Sequence, residues 1–328
     1  MRIPLKLTFV LGAIALVTFL ACVIPRVLFF KKLFFQHAGI RLTQPQVAAS
    51  ASDSSEDARV QHIPKIIHQV FHNWHDPGND TLPESWATMR QGCINLNPTF
   101  EFKVWTEKMS RDFIETEYPW FLHTYDHYRY PVQRVDAVRY FLMLHYGGIY
   151  MDFDNGCKTD LTPLLHYPAW VTDGGRGALS NNILGARPNH PFWHRMTLSL
   201  LPYNWNWPLP FVTIMYSSGQ WFLTAIWEEY HALLPRPEAN LEHEHRLYRI
   251  MMDGTPGADP WTFFSYLEGG GGTWDNWDNA LFSGIGEHIF LFFTILFAGF
   301  GLIVWLGLRC VRRYRGGYTR LKNRPGTV

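Results

Sequence analysis

Hydrophobic and polar positions divide the chain into three regimes. Unbroken apolar runs lie near both ends, at residues 7–24, closed by Pro25, and at residues 289–308. Roughly 20 apolar residues in a helix cross the hydrocarbon of a bilayer, so both runs are read as membrane spans, with a cleaved signal peptide as the alternative for the first. Between them the apolar stretches shorten. Residues 63–71 and 101–105 read as strands, 131–146 as a helix, 148–153 and 178–184 as strands, and 217–230 as a helix. In the helix 131–146, Val135, Val138, Leu142 and Tyr146 fall at helical spacing, and Phe141 and Leu144 widen the apolar face. Residues 42–60, rich in Ala, Ser, Asp and Gln, carry neither period and read as part of a linker. The expected organisation is an N-terminal anchor at 1–30, a linker at 31–62 and one α/β domain at 63–285. A second span at 286–310 and a basic tail at 311–328 complete it. Alternating strands and helices predict a doubly wound sheet, which binds ligands at the carboxyl ends of its strands.

The most informative chemistry falls at one such end. Gly147 and Gly148 stop the helix, Ile149, Tyr150 and Met151 follow, and the apolar run breaks into Asp152 and Asp154. Residues two apart on a strand share a face, so the two carboxylates are expected side by side. Such a pair repels itself unless a cation intervenes, and Mg²⁺ or Mn²⁺ bridging phosphates is the usual cation. Asp136 and Arg139, three apart, share one face of the preceding helix. A calcium loop is excluded, because glycine falls at its fifth position and Pro163 stands where its glutamate belongs. A phosphatase with an aspartate nucleophile lacks a matching hydroxyl after Asp154. His68, inside an apolar strand, reads as a hydrogen-bonded core residue. No zinc spacing and no phosphate-binding Gly-Lys-Ser/Thr loop is present.

The helix bearing Asp136, Arg139 and Tyr140, followed by Gly147, Gly148, Tyr150, Asp152 and Asp154, resembles the DXD glycosyltransferases of family 32. Ile63 to Phe71 resembles the first strand of that family, and Phe102 to Thr106 its next strand. Within the family the resemblance is greatest to the fungal mannosyltransferases that act on inositol phosphoceramide. It covers residues 63–285 and implies a GT-A-like, Rossmann-type domain flanked by two transmembrane helices. It also implies a retaining, metal-dependent transfer of mannose from GDP-mannose to inositol phosphoceramide, with Mn²⁺ or Mg²⁺ as cofactor. By the same resemblance Asp154 binds the metal, Asp152 contacts ribose and metal, and Asp136 and Arg139 hold hydroxyls of the donor sugar. Phe71 and Trp105 shape the nucleotide pocket. Thr273 and Trp274 resemble a Ser-Trp element that closes over metal and diphosphate, but Asp275 stands where many relatives have histidine. A regulatory membrane subunit is a further expected partner. A glycoprotein mannosyltransferase of the same family and a non-catalytic accessory subunit are the competing readings.

Charge and cysteine usage add the compartment. The net charge of +1 gives no reason to expect nucleic acid as a partner. Seven Arg and Lys residues follow the second span, from Arg309 to Arg324, which by the positive-inside rule puts the tail in the cytosol and the domain in the lumen. Charges around the first span are balanced and give no orientation. A Golgi membrane location follows from luminal sugar transfer. Asn79, Asp80 and Thr81 form an N-glycosylation acceptor, and Cys93 and Cys157 are the two cysteines an oxidising lumen would find in the domain. Tryptophans crowd the second half of the chain, and aromatic faces pack well on sugar C–H surfaces.

Overall fold

The structure is a computed structural model. It describes residues 31–35, 37–51, 60–175, 177–235, 245–252, 262–267 and 274–322, with scattered positions between 14 and 28. Two compact units emerge, Met1–Trp274 and Asp275–Val328.

The first unit is a mixed α/β fold built on a seven-stranded, mostly parallel sheet. Its strands are β1 (Ile40–Thr43), β2 (Ile66–Phe71), β3 (Glu101–Thr106), β4 (Gly148–Met151), β6 (Ala169–Asp173), β7 (Ser180–Ala186) and β8 (Tyr248–Met251). In space they run β1-β8-β6-β7-β4-β2-β3. All pairs are parallel except the two made by β7. β5 (Asn155–Cys157) and β9 (Phe264–Tyr266) form a separate antiparallel pair.

Alternation along the central strands explains why both faces are covered. Val70, Tyr150, Val171 and Leu184 join one apolar cluster, whereas Ile67, Ile149, Met151, Trp170 and Ile183 join the other. Against the first face lie α5 (Pro131–His145), α6 (Pro191–Tyr203) and α8 (Gln220–Leu233). The second face carries α1 (Gln44–Ala51) and α2 (Glu84–Leu96), through Val47 and Cys93. The other helices of this unit are α3 (Glu107–Glu117), α4 (Pro119–Asp126) and α7 (Pro210–Ser217). The bulk of Trp170 is accommodated because its cross-strand partner is Gly185, where a Cβ would sit 2.1 Å from the indole.

α5 is set at both ends. Pro131 occupies its first turn, where no N–H is needed, and the Tyr130 N–H donates to Gln133 Oε1 at 2.9 Å. At the other end Gly147 and Gly148 take φ of +64° and +88°. A Cβ on Gly148 would lie 2.6 Å from the Ile66 carbonyl, so these glycines let the chain reverse directly into β4.

Several expectations are corrected. The stretch read as linker holds β1 and α1. β1 pairs parallel with β8, and the side chain of Gln44 is buried. Gln44 accepts from the N–H groups of Thr262 and Phe263 at 3.0 and 2.9 Å and donates to the Met251 carbonyl at 3.1 Å. Its polarity therefore marks a satisfied core residue rather than solvent. The first strand begins at Ile66, and the strand expected to reach residue 153 ends at Met151. The helix expected at 217–230 divides: Gly219 N–H turns back to the Ile214 carbonyl at 2.9 Å, ending α7 before α8 begins. The expected first span lies largely outside the described residues. Among the described residues one helix is long and apolar enough to cross a membrane. This is Ile289–Gly307, of mean hydropathy 2.6, within α10 (Ile289–Lys322). It follows α9 (Asn279–Glu287) in the second unit.

Candidate functional site

Asp152 and Asp154 lie just beyond β4, on a tight turn. Asp152 N–H donates to the Asn182 carbonyl at 2.9 Å, and Asn155 N–H donates back to the Asp152 carbonyl at 3.0 Å. The Asp154 carbonyl accepts from Leu267 N–H at 2.7 Å, and a disulfide joins Cys157 on β5 to Cys93 on α2. The turn is thus held between β7, the segment after β9, and α2. A strand alternation is replaced by a hydrogen-bonded turn, yet both carboxylates still line one cleft of about 410 Å³.

The helix pair faces the same cleft. Asp136 and Arg139 are almost completely buried, with Arg139 Nη2 3.3 Å from Asp136 Oδ1. Asp136 also accepts from Asn181 Nδ2 and Ser218 Oγ, both at 3.0 Å. Arg139 donates to the Asn181 carbonyl at 2.7 Å and to Asp152 at 3.3 Å, and its guanidinium lies 4.6 Å from the Tyr150 ring centre. Tyr150 in turn donates its hydroxyl to Asp152. Burial alone would lower the pKa of Arg139, but Asp152, Tyr150 and Asp136 outweigh it and hold the guanidinium charged. Burial pushes the Asp136 carboxyl above its ordinary range, against the pull of Arg139, Ser218 and Asn181.

The two carboxylates of the turn differ. Asp152 is paired with Arg139 and bonded by Tyr150. The side chain of Asp154 accepts only from Asn155 Nδ2, at 2.7 Å on Oδ1, among the described residues. Burial first, and the charge of Asp152 second, push its pKa up to about 6. Asp154 is thus an oxygen donor still short of a cation, which fits a hard divalent ion. No cluster of three or more His, Cys, Asp or Glu residues able to hold a metal occurs among the described residues.

The other expected site residues separate. Phe71 lines the cleft, where Phe71, Trp86 and Phe153 form an aromatic wall and Trp86 stacks on Phe153 at 5.8 Å. Trp274 also lines it, whereas Thr273 lies outside the described residues. Trp105 is not among the lining residues. Its indole N–H donates to His68 Nδ1 at 3.1 Å, and His68 Nε2 donates to the Gly147 carbonyl at 3.0 Å. This fixes a neutral imidazole, which burial drives down to a pKa of about 3. Trp105 and His68 therefore brace the helix-to-strand turn from behind. Sequence reasoning missed Asn181, Asn182 and Ser218. The signal was there for the first two, since adjacent asparagines interrupt an otherwise apolar strand; a serine after α7 gave none.

A family model for the "Glycosyltransferase sugar-binding region containing DXD motif" matches residues 83–170, which include Asp136, Arg139, Asp152 and Asp154. Inositol phosphoceramide mannosyltransferase 1 of Schizosaccharomyces pombe is 32% identical over 275 residues, 81% of this chain and 80% of its own. The chain belongs to this family of DXD glycosyltransferases. Mannosyl phosphorylinositol ceramide synthase SUR1 of Saccharomyces cerevisiae is another member, 37% identical over 77% of this chain. Mannosyl phosphorylinositol ceramide synthase CSH1 of the same organism is 39% identical over 75% of this chain. The chain spans 65% and 64% of the lengths of those two relatives. Among solved structures, the PaToxG glycosyltransferase superposes with a TM-score of 0.41 at 15% identity, over 57% of this chain and 77% of its own. For a member of the DXD family, the two aspartates that carry the motif are the pair on the turn after β4.

Proposed function

We propose that the chain is a metal-dependent, retaining mannosyltransferase that moves mannose from GDP-mannose to inositol phosphoceramide in sphingolipid synthesis. Its domain would be GT-A-like and would work on the luminal side of the Golgi membrane. The observation that carries the reading is the asymmetry of the DXD pair: Asp152 is paired with Arg139, while Asp154, beside it, forms no salt bridge among the described residues and accepts from Asn155 Nδ2. Asp154, with Asp152 beside it, would hold Mn²⁺ or Mg²⁺, and the ion would supply positive charge against the charge that develops on the leaving group.

The chain's own groups support the rest. Arg139 has five N–H donors, and its bonds to Val135, Asp152, Asn181 and Asp136 use four of them. Asp136 accepts from Asn181, Ser218 and Arg139, which leaves about one lone pair. The pair thus keeps roughly one donor and one acceptor for sugar hydroxyls, on side chains that cannot swing away. Phe71, Trp86 and Phe153 offer the apolar wall that a nucleoside base or sugar face requires. The lipid acceptor and the sugar are those named for the relatives, and the long apolar helix is consistent with work at a membrane. Retention of configuration rests on the family resemblance. A luminal, oxidising location is supported by the Cys93–Cys157 bond and the basic tail.

The test is sugar transfer by the detergent-solubilised chain, with GDP-mannose, Mn²⁺ and inositol phosphoceramide, read by lipid mass spectrometry. One added hexose, lost with chelator and with Asp154→Asn, is the expected result. Transfer that survives both treatments overturns the metal role. Donor binding without transfer to this lipid redirects the acceptor assignment to glycoproteins.

A further inference from the structure

The cleft wall made by α7 continues outward as a surface of rings. Phe211 stacks on Trp274 at 6.0 Å and meets Trp221 at 5.5 Å. Trp221 touches Phe34 at 5.5 Å and Tyr216 at 5.0 Å, and Tyr216 reaches Trp207 at 6.2 Å. These rings come from three segments far apart in sequence: Phe34, residues 207–221 and Trp274. Phe34 lies in the helical stretch 31–35, a few residues after the apolar run 7–24. Trp274 is the last residue of its unit, immediately before the unit that carries Ile289–Gly307. Phe34, which follows one bilayer-length apolar run in sequence, and Trp274, which precedes the other, thus pack on one aromatic surface.

The edge of that surface is unusual for a water-facing one. Trp205 is 69% exposed, Trp207 46% and Phe35 63%. Leu198 and Leu201, three apart on α6 and so on one helix face, are both exposed just before this loop. Residues 196–227 contain no Asp, Glu, Lys or Arg. Lys31 and Lys32, just before Phe34 in sequence, are both exposed, and Lys32 interacts with the carboxylate of Glu228. Tryptophan rings, apolar side chains and an exposed lysine pair match the headgroup layer of a bilayer, where indoles concentrate and lysine stems extend toward water. A protein partner would leave no reason for both membrane-bound chain segments to converge here.

We infer that the face formed by residues 31–35, the Trp205–Trp207 loop and the outer side of α7 and α8 lies in the interfacial layer of a lipid bilayer. It thereby presents the cleft, through Phe211 and Trp274, to lipid headgroups. The lipid contact stands on this geometry alone; its consequence for transfer rests on the lipid-acceptor reading above.

The test uses the full chain reconstituted in phosphatidylcholine vesicles, plain or brominated on the acyl chains. The fluorescence lost in W205F/W207F gives the contribution of these two tryptophans, and W120F gives that of Trp120, an exposed tryptophan on α4 that is 44% accessible. Bromolipid is expected to quench the Trp205 and Trp207 contribution by roughly half or more and to leave that of Trp120 unchanged. Equal quenching of the two contributions overturns the inference. In the second arm, W205S/W207S should slow transfer to inositol phosphoceramide in vesicles about tenfold, with GDP-mannose affinity changed less than about twofold. Unchanged vesicle transfer overturns the presentation of the cleft to lipid. If the wild-type chain transfers nothing to this lipid, the lipid-acceptor reading fails, and the quenching comparison still decides the surface.

Discussion

Removing the guanidinium of Arg139 is the most discriminating perturbation of the site. In Arg139→Met, Asp136 keeps its bonds to Asn181 and Ser218 but loses its only cation in a position that is 5% exposed. Breaking a buried pair from one side costs about 3–5 kcal/mol, because a bare charge is left behind. The side chain of Asp152, 29% exposed, is screened and adds little to that cost. For a domain of this size 1 kcal/mol moves Tm by roughly 2–4 °C, so a fall of about 10 °C is expected. The double variant Asp136→Asn, Arg139→Met removes both charges and should recover roughly half of the loss or more. The deficit of the single variant also depends on pH in a fixed direction. Burial raises the folded pKa of Asp136 above its unfolded value, so the folded state binds the extra proton and stability falls as pH rises through that window. The loss should therefore be smaller at acid pH than at neutral pH. Tryptophan fluorescence on heating the detergent-solubilised chain reads all three quantities. If Arg139→Met melts within about 2 °C of wild type, or the double variant is no more stable than the single, the buried-pair argument is wrong. Transfer should be lost in every variant, which separates folding from activity.

Four other outcomes are expected. Asp154 is pushed up to about 6 by burial and Asp152, and a metal binds its ionised form. Mn²⁺ affinity, followed by electron paramagnetic resonance, should fall about tenfold per pH unit below that value and level off above it; a flat profile would remove Asp154 from the metal shell. Phe71→Ala should raise the KM for GDP-mannose several-fold, by roughly 1 kcal/mol or more for a lost aromatic contact. Trp105→Phe should leave that KM unchanged and cost about 1 kcal/mol of stability through the lost His68 bond. A Trp105→Phe effect on KM alone would return that residue to the nucleotide pocket. Asn79, exposed in a loop where its Oδ1 accepts from Thr81 N–H at 3.1 Å, should carry an N-linked glycan. A mobility shift on glycosidase treatment, absent in Asn79→Gln, checks this, and an unglycosylated chain would speak against a luminal domain.

The parts of this protein that could be read from sequence are those dictated locally. α5 and β4 were legible because apolar spacing, the two glycines and the Asp-x-Asp step each follow from short-range rules. His68 was legible as a core histidine because a lone polar residue in an apolar strand must find partners, and it finds Trp105 and Gly147. β1 and α1 were not legible, since β1 has meaning only through β8, and Gln44 only through Met251, Thr262 and Phe263. Trp105 was misassigned because a strand position beside the site says nothing about which side of the sheet its ring takes. Ser218 became part of the site only when the α7–α8 turn delivered it to Asp136.

The bond between Cys93 and Cys157 encloses 64 residues of chain separation, and Asp136, Arg139, Asp152 and Asp154 all lie inside that ring. Closing a loop of this size restricts the unfolded chain by about 4 kcal/mol in the chain-entropy account. Every residue of the DXD turn and of its supporting helix is thus stabilised by a bond that only an oxidising compartment allows to form. On the luminal reading proposed above, a newly made chain that has not reached that compartment would carry the groups of the site without the covalent ring that holds them. Compartment and the rigidity of the DXD turn would then be coupled by one sulfur–sulfur bond.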